Sequence, residues 1–100
     1  MLSADDLSAL LTSDRKIAFQ RFHITGSARI HSDGGFQIRV PQLGQDTGDW
    51  WLEGSEICSR WATFRQGRKL CAVVGLAEDG TYHGFNPQSG AYLGEFRFSG

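Results

Sequence analysis

A chain of 100 residues makes one domain, and with 40% hydrophobic and 21% charged residues its composition is globular rather than disordered. Ten basic against eleven acidic residues leave a formal net charge of −1, so bulk charge gives no reason to expect nucleic acid or an anionic membrane as partner. No apolar run approaches the ~20 residues that span a bilayer.

The chain opens on a helix signal. Ser3 followed by Asp6 is a capping-box pattern, and Asp5 and Asp6 sit where the positive end of a helix dipole favours them. Leu7, Leu10 and Leu11 then fall at i, i+3, i+4, an apolar stripe on a helix over about residues 3–12. A helix this short is marginal alone in water, so it must dock on the rest of the fold. The same two aspartates stand where an export signal carries positive charge. The expected location is therefore cytoplasmic, with an exported or periplasmic one requiring a leader upstream of Met1.

From Ile17 onward the pattern is that of strands, a β region over about 17–99. Residues 17–25 read as one strand with a bulge between Phe19 and Phe22, and Gly26 as the turn into 27–31. Ser32-Asp33-Gly34-Gly35 is a hairpin signal, because aspartate and glycine tolerate positive φ. Phe36, Ile38 and Val40 alternate with Gln37 and Arg39, giving one dry and one wet face. Residues 41–47 read as the longest polar connection. Gly54-Ser55 separates a strand over 49–53 from one over 56–64, and Gln66-Gly67 separates that from 69–75. Ala77–Gly80 and Asn86–Gly90 turn the chain into its last two strands. In the last of these Tyr92, Phe96 and Phe98 are expected on one face and Leu93, Glu95 and Arg97 on the other.

Thirteen glycines against two prolines fit many tight turns. Strands at intervals of about ten residues with short links predict an all-β fold, an antiparallel meander of seven or eight strands curled into a barrel or half-barrel with one N-terminal α-helix. The expected core is Leu7, Leu10, Leu11, Phe22, Ile24, Ile30, Phe36, Ile38, Trp50, Ile57, Trp61, Leu70, Val73, Phe85, Tyr92 and Phe96.

The stretch GDWWLEGSEICSRW…KLCAVV, preceded by the DGG hairpin and followed by DGTYHGF and GAYLGEF, resembles a group of small bacterial all-β proteins of unknown function. These carry a G-x-W, L/I-C-x-x-W, second-C signature, and the likeness runs in outline from Leu2 to Phe98. It implies a fold and no activity. It also implies export, since many of its members are exported.

Cys58 and Cys71 lie on strands expected to pair, within reach of a disulfide worth roughly 3 kcal/mol. Two buried thiols acting as small apolar residues is the other reading, and both stay open. No C-x-x-C motif marks a redox pair. His23, His31 and His83 lack metal-ligand spacing, although His23 and His31 on successive strands could face each other. No cofactor or metal site is therefore expected. Arg60, Phe64, Arg65, Arg68 and Lys69 cluster at one hairpin tip as a candidate interaction patch. Basic residues interleaved with aromatics can grip phosphates and stack on bases, or equally form a solvated turn with cation–π packing. The near balance of charge argues against nucleic acid. No phosphate loop, nucleophile elbow or buried acid pair appears, so catalysis is not expected. Two functions follow: a non-catalytic protein-interaction module using an exposed edge strand or an aromatic patch, or a carrier of a small apolar ligand in a lipocalin-like barrel interior. The bulk of the inward-facing residues ranks the module first.

Overall fold

The computed structural model describes residues 1–99. One helix, α1 (Ala4–Leu10), precedes eight strands: β1 (Arg15–Arg21), β2 (Ile24–Ile30), β3 (Gly35–Val40), β4 (Gly44–Glu53), β5 (Glu56–Trp61), β6 (Leu70–Leu76), β7 (Tyr82–Phe85) and β8 (Tyr92–Phe98). The strands form an antiparallel meander, and β8 pairs back onto β1 to close the barrel. Closure removes every sheet edge.

Each turn has a local cause. The 31–35 hairpin carries Gly34 at φ 103, and the Asp33 side chain accepts from the Gly35 N–H. Gly54 at φ 60 makes the two-residue link between β4 and β5. Some expected boundaries move. The connection expected over 41–47 shrinks to three residues, because Pro41 pre-sets the first corner of a turn closed by the Leu43 N–H on the Val40 carbonyl. Gly44 at φ 108 then re-enters the ladder opposite Val40, so β4 runs for ten residues. Its polar start follows a half-buried/exposed alternation and needs no dry face on the outside. At a second site, the strand expected over 17–25 ends at Arg21.

Phe22-His23 is itself the β1–β2 turn, and Gly26 lies inside β2 opposite Phe19. Phe22 takes φ 57, a left-handed conformation that costs an L residue about 1–2 kcal/mol, and is 64% exposed. It is not a core residue. Gly26 is needed in the strand for a different reason than turning: a Cβ there would come within 2.7 Å of the Phe19 ring, which lies against it. Gly48 plays the same part beneath Trp61 on the neighbouring pair, where a Cβ would meet the indole at 2.9 Å.

The inward face follows from the register. Ile30–Phe36–Gly48–Trp61 and Phe98–Ile17–Ala28–Ile38 run side by side across neighbouring strands. Aromatic rings fill much of this space: Phe36 stacks on Trp61 with centroids 5.1 Å apart, and Tyr82 stacks on Phe96 at 5.0 Å with Phe98 edge-on to both. Ala28, Ile30, Val40 and Val74 are buried. Two expected core residues, Val73 and Phe85, belong to the opposite face. The run Leu70–Leu76 has no alternation, so its parity cannot be read from the sequence; the structure turns Leu70, Ala72 and Val74 inward.

The helix closes one end of the barrel. Ser3 caps it in a reciprocal box with Asp6. The Leu2 N–H bonds the Val74 carbonyl on β6, and beyond the helix Asp14 accepts from the Ser32 N–H and lies 3.3 Å from the His31 ring nitrogen in the β2–β3 turn. Between these anchors Leu7 and Leu11 are buried, while Leu10 is half-buried. Among the described residues no helix is long and apolar enough to cross a membrane.

Several exposed carboxylates hold loops and are held below their ordinary pKa. The Ser32 N–H and then His31 lower Asp14, the Thr81 N–H lowers Asp79, and the Ser3 N–H lowers Asp6. A depressed carboxylate contributes stability that is complete above its ordinary value, 3.8 here, and is lost as pH falls through the lower folded value. The melting temperature is therefore expected to be level from neutrality down to about pH 5 and to drop below about pH 4. Asp14→Asn should flatten part of that drop. Thermal melts across pH check both.

Candidate functional site

Across β4 to β8 an apolar band crosses the outward face, between polar residues such as Asp49, Arg60, His83 and Glu95. Trp51, Cys58 and Cys71 are direct cross-strand partners on β4, β5 and β6. Two residues further along β6 on the same face, Val73 pairs with Phe85 on β7, and Phe85 with Tyr92 on β8. The two rows join through Cys71 and Val73 into one belt across five strands. Cys58 and Cys71 form a disulfide with Cα atoms 4.0 Å apart, and Cys58 has no exposure at all. The Phe85 and Tyr92 rings meet edge-on at 5.5 Å, and His83 Nδ1 lies 2.9 Å from the Tyr92 hydroxyl. Burial and then the Glu95 charge push that hydroxyl above its ordinary pKa of 10.0.

Tyr92 is expected to share a face with Phe96 and Phe98, and it does not. Gly84 pairs with Gly94 but Phe85 pairs with Tyr92, so Leu93 is an extra residue in β8. This bulge reverses the side-chain alternation. Phe96 and Phe98 stay inside while Tyr92 turns out, 40% exposed. Gly94 at φ 140 permits the bulge and lets β8 close on the Gln20 carbonyl of β1.

At one margin of the belt Glu53 gathers the polar partners. Its carboxylate accepts the Trp51 indole N–H at 2.6 Å and pairs with Lys69 Nζ at 2.7 Å, and Lys69 and then Trp51 hold its pKa down. Lys69 also lies 5.9 Å from the Trp51 ring. Glu53 approaches both cysteine sulfurs, but in the disulfide neither is the thiolate that metal ligation needs.

The five residues expected as one basic patch are divided. Lys69 is committed to Glu53 and Trp51. Phe64, Arg65 and Arg68 lie on a tight turn over 64–68, in which Arg65 and Gln66 take φ 56 and 57. The strand expected over 56–64 stops at Trp61 because of this turn. Arg68 donates to the Gln66 side chain. Asp46 on β4 anchors the turn by accepting from the Thr63 and Phe64 N–H groups. Burial raises the Asp46 pKa, and the Phe64, Thr63 and Thr47 N–H groups together outweigh it. Arg60 points outward from β5 opposite Asp49, beside a depression of about 480 Å³ that His31, Asp33 and Trp61 also line. The histidines do not converge: His23 is in the β1–β2 turn and His31 is at the far end of β2, so they cannot face each other.

The belt escapes sequence reasoning because Val73, Phe85 and Tyr92 are the residue types of a core. Only the pairing of GAYLGEF with YHGF through glycines on both strands hints at the bulge. The chain matches no family model, no curated protein and no solved structure.

Proposed function

We propose that this barrel is a non-catalytic protein-interaction module whose partner docks on the outward belt from Trp51 across the disulfide to Val73, Phe85 and Tyr92. One observation carries the reading. A closed barrel buries its inward side chains and needs a polar outside, and β1 to β3 obey this with Lys16, Gln20, Ser27, Arg29, Gln37 and Arg39 facing out. On β4 to β8 one band of the outward side departs from it, with Trp51, Cys58, Cys71, Val73, Phe85 and Tyr92 adjoining across five strands. Aromatic rings with one polar handle, as Trp51 and Tyr92 are, supply contact area at low entropic cost. The disulfide holds two of these strands in fixed register, so the belt is presented rigid. Barrel closure leaves no edge strand for a partner to extend, which favours a side-chain surface over the edge-strand form of the module. The stacked rings of the interior and the helix across one end favour docking on the surface over carriage inside.

The test uses two baits, the wild type and a Val73→Glu/Tyr92→Glu variant. Both sites face outward, so the variant is expected to melt within a few degrees of the wild type. A partner protein that binds the wild type in purified form and loses at least about tenfold in affinity for the variant supports the reading. Saturable one-to-one binding of a fatty acid at micromolar concentration, quenching the tryptophans equally in both proteins, would replace it with the carrier.

A further inference from the structure

On the other side of the barrel, the outward face of β1 to β4 forms an open depression of about 650 Å³. Three cations line it. Lys16 on β1 is directly opposite Arg29 on β2, and Arg29 is opposite Gln37, two residues before Arg39 on the same face of β3. In such a ladder direct neighbours have Cβ atoms about 5 Å apart and diagonal ones about 7–8 Å. Like charges placed directly opposite each other weaken a sheet. Among the described residues no carboxylate lies within 4.0 Å of any of the three, whereas Lys69, Arg97 and His31 each have one. Among the described residues Asp46 is the one acidic group lining the depression, and its Oδ2 accepts from both the Thr63 and Phe64 N–H groups. Ser27, Gln37, Gln45 and Thr47 add neutral hydrogen-bonding groups around the cations.

We infer that this depression is a binding site for a small ligand carrying two or three phosphate groups, held by Arg29 and Arg39 with Lys16 as a third positive charge. Arginine forks suit phosphate oxygens in a bidentate geometry, and lysine adds a point charge. The depression lies within the volume range of small-molecule sites. Its lining has no aromatic residue, so it offers phosphate contacts and no platform on which a base would stack. A bound polyanion would also relieve the Lys16–Arg29 repulsion, giving the free protein a strain that the ligand removes. This site is on a different face from the apolar belt and stands or falls independently of it.

The experiment is calorimetric titration of the full chain, in phosphate-free buffer, with inorganic tripolyphosphate and with orthophosphate. Saturable one-to-one binding of tripolyphosphate is expected, weakening with added salt, with orthophosphate at least about tenfold weaker because it reaches fewer of the cations. Arg29→Gln and Arg39→Gln should each lose about tenfold or more, the loss of a charge-assisted hydrogen bond, and Arg68→Gln, which removes the same charge from the 64–68 turn, should lose nothing. The ligand-free Arg29→Gln protein should melt at or above the wild type. No saturation at millimolar tripolyphosphate, an equal loss in Arg68→Gln, or a lowered melt for Arg29→Gln would overturn the site. Binding to a single-stranded oligonucleotide tighter than to tripolyphosphate would also overturn it, assigning the face to a nucleic-acid chain.

Discussion

Reduction of the Cys58–Cys71 bond is expected to cost this protein about 3 kcal/mol of stability, the chain-entropy value for a closed loop of this size. The bond ties β5 to β6 across the 64–68 turn, where only three cross-strand pairs hold the two strands. Three features of that connection make the unfolded chain difficult to bring back: three residues at positive φ, eight residues between strands, and a single carboxylate anchor at Asp46. For a domain of this length 3 kcal/mol corresponds to a melting temperature lower by roughly 12–24 °C. Guanidinium unfolding with and without a phosphine reductant measures it. The Cys58→Ala/Cys71→Ala protein should match the reduced form with a small further loss, because Cys58 is wholly buried and its truncation leaves a void. A reduced protein that unfolds at the same denaturant concentration would show that the strand pairs alone hold the register.

Removing the apolar face of α1 is expected to be the other large effect. Leu7 is 2% exposed and Leu11 7%, and a buried leucine cut back to alanine costs about 2–5 kcal/mol. The two sites are one turn apart, so their losses will not add simply. Even so, the pair approaches the 5–15 kcal/mol that stabilises a typical domain. The Leu7→Ala/Leu11→Ala protein is expected to bind an apolar dye and to have lost its cooperative melt, whereas Leu10→Ala, at a half-buried site, should lose much less. Loss of residues 2–12 should act like the double variant, and also free the Val74 carbonyl that the Leu2 N–H occupies. A truncated chain that melts like the full one would mean that the barrel end closes without the helix.

These expectations rest on contacts of different legibility. The capping box at Ser3 and Asp6, the leucine spacing behind it, and the turns at 32–35, 54–55 and 86–90 are local: each is specified by residues within a few positions of one another, so each is legible along the chain. The all-β meander followed from the spacing of those turns, and the pairing of Cys58 with Cys71 from their place on either side of one reversal. What the sequence left undecided was whether they are bonded and whether the sheet closes on itself. Only the tertiary structure joined β8 to β1, because a closing pair between residues 17 and 98 leaves no local trace.

Side-chain direction was decided at the same level. A single extra residue in β8 sends Tyr92 out and keeps Phe96 in, and a two-residue turn at Phe22 sends a phenyl ring into solvent where a strand would bury it. Period-2 alternation determines a face only until the first bulge, after which the face depends on the partner strand's register. Both surfaces proposed to bind, the apolar belt and the cationic depression, are built from cross-strand neighbours far apart in the chain. Lys16 and Arg29 meet because β1 and β2 pair, and Val73 and Tyr92 share a face because Leu93 is skipped. The elements were therefore local decisions of the sequence, while the two surfaces exist only through strand register.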